Sequence, residues 1–176
     1  QQRSSAASDV YKRQEYTTKL KGIRVSGTRS FRHLEDNRYK ISWKAKALWM
    51  RLHEWSEVEI VNDEVRPLSY HYTRKGLGSD RPIHVYFNWE TMQAKGSKGD
   101  DKFEFAINAN TQDRLSYQVQ MQLDLLKNPE TRAFDFTVAS HNRIKPYQFD
   151  HVANEVVKTK LGDRQSLLFE RTKKEK

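Results

Sequence analysis

Strict alternation of apolar and polar residues runs through most of this chain, and it dictates strands with one buried face. In "RYKISWKAKA", Tyr39, Ile41, Trp43, Ala45 and Ala47 fall on one side, and Arg38, Lys40, Ser42, Lys44 and Lys46 on the other. "RPIHVYFNWE" sets Ile83, Val85, Phe87 and Trp89 against His84, Tyr86 and Asn88. The same period aligns Leu68, Tyr70 and Tyr72, then Phe103, Phe105 and Ile107, then Phe134, Phe136 and Val138. Turn signals fall between the runs at 35–37, 61–64 and 95–101. In "YTTKLKGIRV" the apolar parity switches at Gly22, which a β-bulge in one strand would explain. Short strands at this spacing predict an antiparallel meander.

One segment breaks the period. "TQDRLSYQVQMQLDLLKNPE" predicts a helix with Leu115, Val119, Leu123 and Leu126 on a common stripe. Thr111 is placed to cap its start, Asp113 suits its first turn, and Pro129 follows its end. Tyr117 and Met121 lie off the stripe and face solvent, a further segment or a partner. The fold class that follows is mainly β: a strongly curved antiparallel sheet, open or a partial barrel, of about eight to ten strands with one packed helix.

Composition excludes several function classes. There is no cysteine, so disulfides, thiolate metal sites and cysteine nucleophiles are absent. No apolar run is long enough for a helix to span a bilayer. The formal charge of +9 invites a nucleic-acid reading, yet residues 1–14 and 172–176 each carry a net +2, leaving +5 spread over the interior. A single-strand binder needs rings and cations on one exposed face. Alternation puts Tyr39 and Trp43 opposite the lysines, so nucleic acid is not expected as a partner.

The loop "KGLGSDRP" offers the other candidate chemistry. Gly76, Gly78, Ser79, Asp80 and Arg81 match neither a P-loop nor a dinucleotide fingerprint, and the next element is strand-like. Ser79, Asp80 and His84 are residue types of a hydrolase triad without a nucleophile elbow. Asp80 and Arg81 are better read as a local salt bridge or a turn cap. Glu57 and Glu59 share a strand face, and pairing across the ladder to Lys40, Lys44 or Lys46 is the better reading than a glycosidase pair. His71 and His84, outward on adjacent strands, lack a third metal ligand. No catalytic residue, metal or cofactor is expected.

Both ends look unnatural. The chain opens without methionine, and "SSAASDVYKRQ" resembles translated adaptor text fused to a metagenomic fragment. Residues 1–14 are therefore set aside as artefactual or a disordered tail. Residues 15–171 form a single β-rich domain, expected to be truncated at its C-terminal side, and 172–176 form a basic terminus.

"YKISWKAKALWMRLHEWSEVEI", "RPLSYHYTRKGLGSDRPIHVYFNWE" and "DRLSYQVQMQLDLL", in this order, resemble a bacterial family called domain of unknown function 3108. The likeness covers residues 15 to about 171. It implies an exported protein of Gram-negative bacteria, periplasmic or outer-membrane associated, with a strongly curved sheet and further strands beyond Lys176. It implies no activity and no catalytic residue. A cytoplasmic location is the alternative. The function expected is non-enzymatic binding of a lipid, another amphiphile or an envelope protein on the concave face. Tyr39, Trp43, Tyr70, Tyr72, Phe87 and Trp89 would line that face. The rivals are a structural module with a filled core and a hydrolase using Asp80, His84 or the Glu57/Glu59 pair.

Overall fold

A computed structural model describes residues 11–20, 23–76, 81–159 and 162–172. Eight strands form one antiparallel sheet in chain order: β1 (Tyr11–Leu20), β2 (Ile23–His33), β3 (Arg38–Ala47), β4 (Met50–Val61), β5 (Glu64–Lys75), β6 (Ile83–Asn88), β7 (Gln93–Lys98) and β8 (Asp101–Ala106). Then come β9 (Thr111–Gln112), the single described helix α1 (Ser116–Lys127), β10 (Ala133–Ser140), β11 (Arg143–Thr159) and β12 (Gly162–Thr172). These last strands make a second sheet in the order β12-β11-β10-β9, with β9 parallel to β10. The fold is thus mainly β, a large antiparallel sheet with one helix packed on it. No described helix is long and apolar enough to cross a membrane.

Tight turns hold the meander. Asn62 (φ 52°) and Asp63 (φ 62°) join β4 to β5, both left-handed, as a two-residue hairpin of matching twist requires. Alternation then stacks the inner face into rows that cross the sheet. One row runs Phe31, Ile41, Ser56, Tyr70, Val85, Gly96 and Phe103, from β2 to β8. Ile41, Val58 and Val85 are wholly buried, each contributing roughly 1.5–3 kcal/mol of transfer free energy. In β5 the register slips beside Glu57 and Val58, so Pro67 as well as Tyr70 is buried.

The helix lies between the sheets. Leu115 and Val119 are buried in the core of the large sheet, with Leu123 packed beside them. Tyr117 turns the other way, its ring 5.7 Å from Phe136, 5.7 Å from Tyr147 and 5.2 Å from Phe149 of the small sheet. The residue that breaks the helix stripe is therefore the contact to a second sheet.

Four expectations change. The run through Gly22 is a hairpin, with Leu20 opposite Ile23, because a turn reverses side-chain parity as a bulge does; Gly22 itself lies outside the described residues. Strand β1 starts at Tyr11, and residues 1–10 lie outside the described ones. The turn expected over 95–101 shrinks to Gly99 and Asp100, since Lys95–Lys98 pair within β7. Thr111 belongs to β9, its hydroxyl bonded to Asn108, and the Asp113 carboxylate accepts the first helical N–H groups instead. Leu126 is 79% exposed, so the buried stripe ends at Leu123.

Candidate functional site

Beside the core row lies another inner-face row: Arg29 on β2, Trp43 on β3, Glu54 on β4 and Tyr72 on β5. Glu54 is only 3% exposed, and an ion so placed requires partners. The Tyr70 hydroxyl donates to its Oε1 at 2.5 Å, and Arg114 Nε lies 3.4 Å from the same oxygen. Burial, and then the Glu54 charge, push the Tyr70 phenol far above its ordinary value, so it remains a donor.

Arg114 precedes the helix, and its neighbour Asp113 makes the reciprocal contact. Asp113 is wholly buried and accepts from the Ser56 hydroxyl on β4. It also accepts the N–H groups of Leu115 (2.7 Å) and Ser116 (2.8 Å), which caps the helix. Burial pushes its carboxyl up to about 6, while these hydrogen bonds pull the other way. Consecutive inner positions of β4, an acid and a hydroxyl, thus grip consecutive residues ahead of α1. The start of the helix is pinned over the row.

Around this pin lies a cavity of about 620 Å³. Its floor is Gly27, Arg29, Trp43, Ala45 and Glu54 of the large sheet; α1 and its lead-in contribute Arg114, Leu115, Tyr117 and Gln118; the small sheet flanks it with Tyr147, Phe149 and Arg171, and the space stays open to solvent on one side. The Arg171 guanidinium sits 3.4 Å above the Tyr147 ring, a cation–π contact that leaves its charge available. Three guanidiniums against one carboxylate leave the lining cationic. A second cavity of about 510 Å³ shares Arg29 and lies under the far half of α1, walled by Phe31, Tyr39, Ile60, Val119, Leu123 and Leu126 with Lys12, Gln14, Asp63 and Gln122 at its margins. One space is cationic and aromatic; its neighbour is largely apolar.

Of the aromatic residues singled out from the sequence, Trp43 lines the first cavity and Tyr39 the second. Tyr70 is buried as the donor to Glu54, and Tyr72 stands 5.8 Å from the Arg114 guanidinium. Phe87 is buried and stacked on Trp89, whose indole N–H donates to Pro67 O at 2.8 Å; this pair belongs to the core away from Glu54. In the loop, Gly76 (φ 124°) follows β5, and Arg81 pairs with Asp101 of β8. Gly78, Ser79 and Asp80 lie outside the described residues, and the triad reading of Ser79, Asp80 and His84 lies there with them. Glu57 faces Lys40 at 3.5 Å, and Glu59 sits opposite Arg38, as pairing across the ladder requires.

His71 and His84 are cross-strand partners with their Nδ1 atoms 2.5 Å apart. His71 also stacks on Trp55 at 3.7 Å, so Trp55 sits on the outer face with the lysines, and Lys40 Nζ lies 3.7 Å above it. Burial, then His84 and Lys40, lower the His71 pKa to about 4. Among the described residues no group of three acidic or histidine side chains is placed to hold a metal. The described lining of the larger cavity contains no serine, threonine, cysteine or histidine; its titratable groups are Glu54, the three arginines and the tyrosines.

Sequence reasoning missed Arg29, Glu54, Asp113, Arg114 and Arg171. Glu54 was legible: it is in phase with Ser56, Val58 and Ile60. Arg29 is in phase with Phe31 on β2, whereas Arg114 and Arg171 carry no local signal, since the helix lead-in and the second sheet deliver them from far along the chain.

The family model described as "Protein of unknown function (DUF3108)" matches residues 14–176, nearly the whole chain. Comparison with curated proteins finds no match, and comparison with solved structures finds none.

Proposed function

The chain belongs to the DUF3108 family of proteins of unknown function, and we propose that it binds an amphiphile: an apolar chain with an anionic head. The observation that carries this reading is the pair of adjoining cavities. Together they offer an apolar run under α1 and, past Arg29, a space holding Arg114 and Arg171 as well. Both volumes fall in the range of small-molecule sites, and a carboxylate or phosphate head is what guanidiniums recognise through paired N–H donors. Glu54 already engages Arg114, so Arg29 and Arg171 are the groups left to meet the head. A periplasmic or outer-membrane location, carrying a lipid or a lipid-like molecule, is part of the same proposal.

The test is a titration with palmitate and with hexadecanol, which share a tail and differ in head charge, read by native mass spectrometry and by thermal midpoint. Palmitate is expected to bind and to raise the midpoint through its preference for the folded chain. Arg29→Gln with Arg171→Gln is expected to weaken palmitate about a hundredfold while sparing the alcohol, each charge-assisted contact being worth roughly tenfold. No mass shift and no change in midpoint with either would assign the interior to a structural module instead.

A further inference from the structure

The connection between β3 and β4 consists of Leu48 and Trp49, which are 58% and 62% exposed. A two-residue hairpin calls for glycine or asparagine where φ is positive, yet Leu48 occupies that conformation at φ 49°. Local turn chemistry therefore does not account for two large apolar residues here. The tip backbone is held from below: a Cβ at Gly76 would come within 2.7 Å of Trp49 O, so the end of β5 packs directly against it.

Charge behind the tip is equally unusual. Lys46, Arg51 and Lys75 are direct cross-strand neighbours, one row over β3, β4 and β5. Like charges facing each other across a ladder destabilise it. Elsewhere in the same sheet Lys40 is paired with Glu57 at 3.5 Å and Lys95 with Glu104 at 3.3 Å. Among the described residues, none of the three in this row has an ion-pair partner. An exposed indole and an aliphatic side chain ahead of an unneutralised cationic row match the interface of an anionic bilayer. There the indole sits at headgroup level, the leucine is buried, and the cations meet lipid phosphates. A single nucleic-acid strand would use the row and the ring and would leave Leu48 without a role.

We propose that the Leu48–Trp49 hairpin docks this protein on the surface of an anionic lipid bilayer, with Lys46, Arg51 and Lys75 facing the headgroups. This rests on the hairpin and not on the cavities. The experiment is co-sedimentation of the full chain with vesicles of phosphatidylcholine alone and with vesicles of equal parts phosphatidylcholine and phosphatidylglycerol. Binding to the mixed vesicles is expected to be at least about tenfold tighter and to weaken with salt. Leu48→Gly with Trp49→Ser should abolish it; glycine suits the positive φ, so the fold is kept. Lys46→Gln, Arg51→Gln and Lys75→Gln together should erase the preference for phosphatidylglycerol. Arg29→Gln with Arg171→Gln should bind vesicles like the parent, which separates this result from palmitate binding. Equal binding to both vesicles, or unchanged binding by the hairpin variant, overturns the proposal. So does an outer face that takes up a single-stranded oligonucleotide and no vesicle.

Discussion

Asp113 is a buried carboxyl whose affinity for a proton is higher in the folded chain than in the unfolded one. With a value pushed up to about 6 from an ordinary 3.8, its stabilising contribution is complete below pH 3.8 and lost as pH rises through 6. The size is on the order of 3 kcal/mol. His71 runs the opposite way. Its value is lowered to about 4, so it contributes fully above pH 6.5 and loses that contribution as pH falls through 4. The two nearly share a window and offset each other. Asp113→Asn keeps an acceptor for the helix N–H groups and removes the proton. Urea unfolding across pH 4–7 should then show stability falling more steeply on acidification than in the parent; parallel profiles would refute the assignment. Gly96 makes a steric prediction. A Cβ there would lie 2.1 Å from the His84 carbonyl oxygen and 2.7 Å from the Phe103 ring. Since backbone cannot give way as a side chain can, Gly96→Ala should cost about 3 kcal/mol in chemical unfolding.

At the scale of elements, the helix separates residues that sequence periodicity grouped together. Leu115→Ala should cost about 3 kcal/mol by leaving a cavity in the large sheet's core. Leu126→Lys should change stability by less than about 0.5 kcal/mol. Thermal unfolding of the pair checks both, and a large loss at Leu126 would show the stripe continuing to the helix end. Strands with clean alternation, such as β3 and β6, were legible because a single buried face dictates their residue types. Strand β7 was not: "KGSK" is turn-like in composition, and Gly96 is there because the Phe103 ring and the neighbouring backbone occupy the space of a side chain. The hairpin of β1 and β2 was read as one bulged strand because both devices produce the same parity switch. Glu54 and Trp55 sit against type, acid inward and indole outward. Partners on other elements decide that: Tyr70 and Arg114 for the acid, Lys40 and His71 for the indole. Such partners come from pairing and packing at a distance, which a local pattern cannot encode.

For the whole molecule, the question is what joins the sheets. Tyr117 reaches three aromatic rings of the small sheet from a helix anchored on the large one through Glu54, Ser56, Asp113 and Arg114. Tyr117→Ala should cost about 3 kcal/mol, and amide exchange should accelerate in β10–β12 while β3–β5 keep their protection. Uniform acceleration would mean that the sheets unfold as one unit. The closing of the cavities depends on this same junction, so the variant should also lose palmitate.

The order of strands in the large sheet has a consequence for synthesis. Each of its strands pairs with the one just before it, so the sheet can assemble stepwise as the chain leaves the ribosome, from contacts close in sequence. The helix and the β10–β12 meander emerge afterwards. Until they arrive, the Arg29–Trp43–Glu54 row faces outward, and the acid lacks its arginine. The interior space therefore comes into being only after the large sheet has formed. On the proposed function, the amphiphile can enter before the roof is laid.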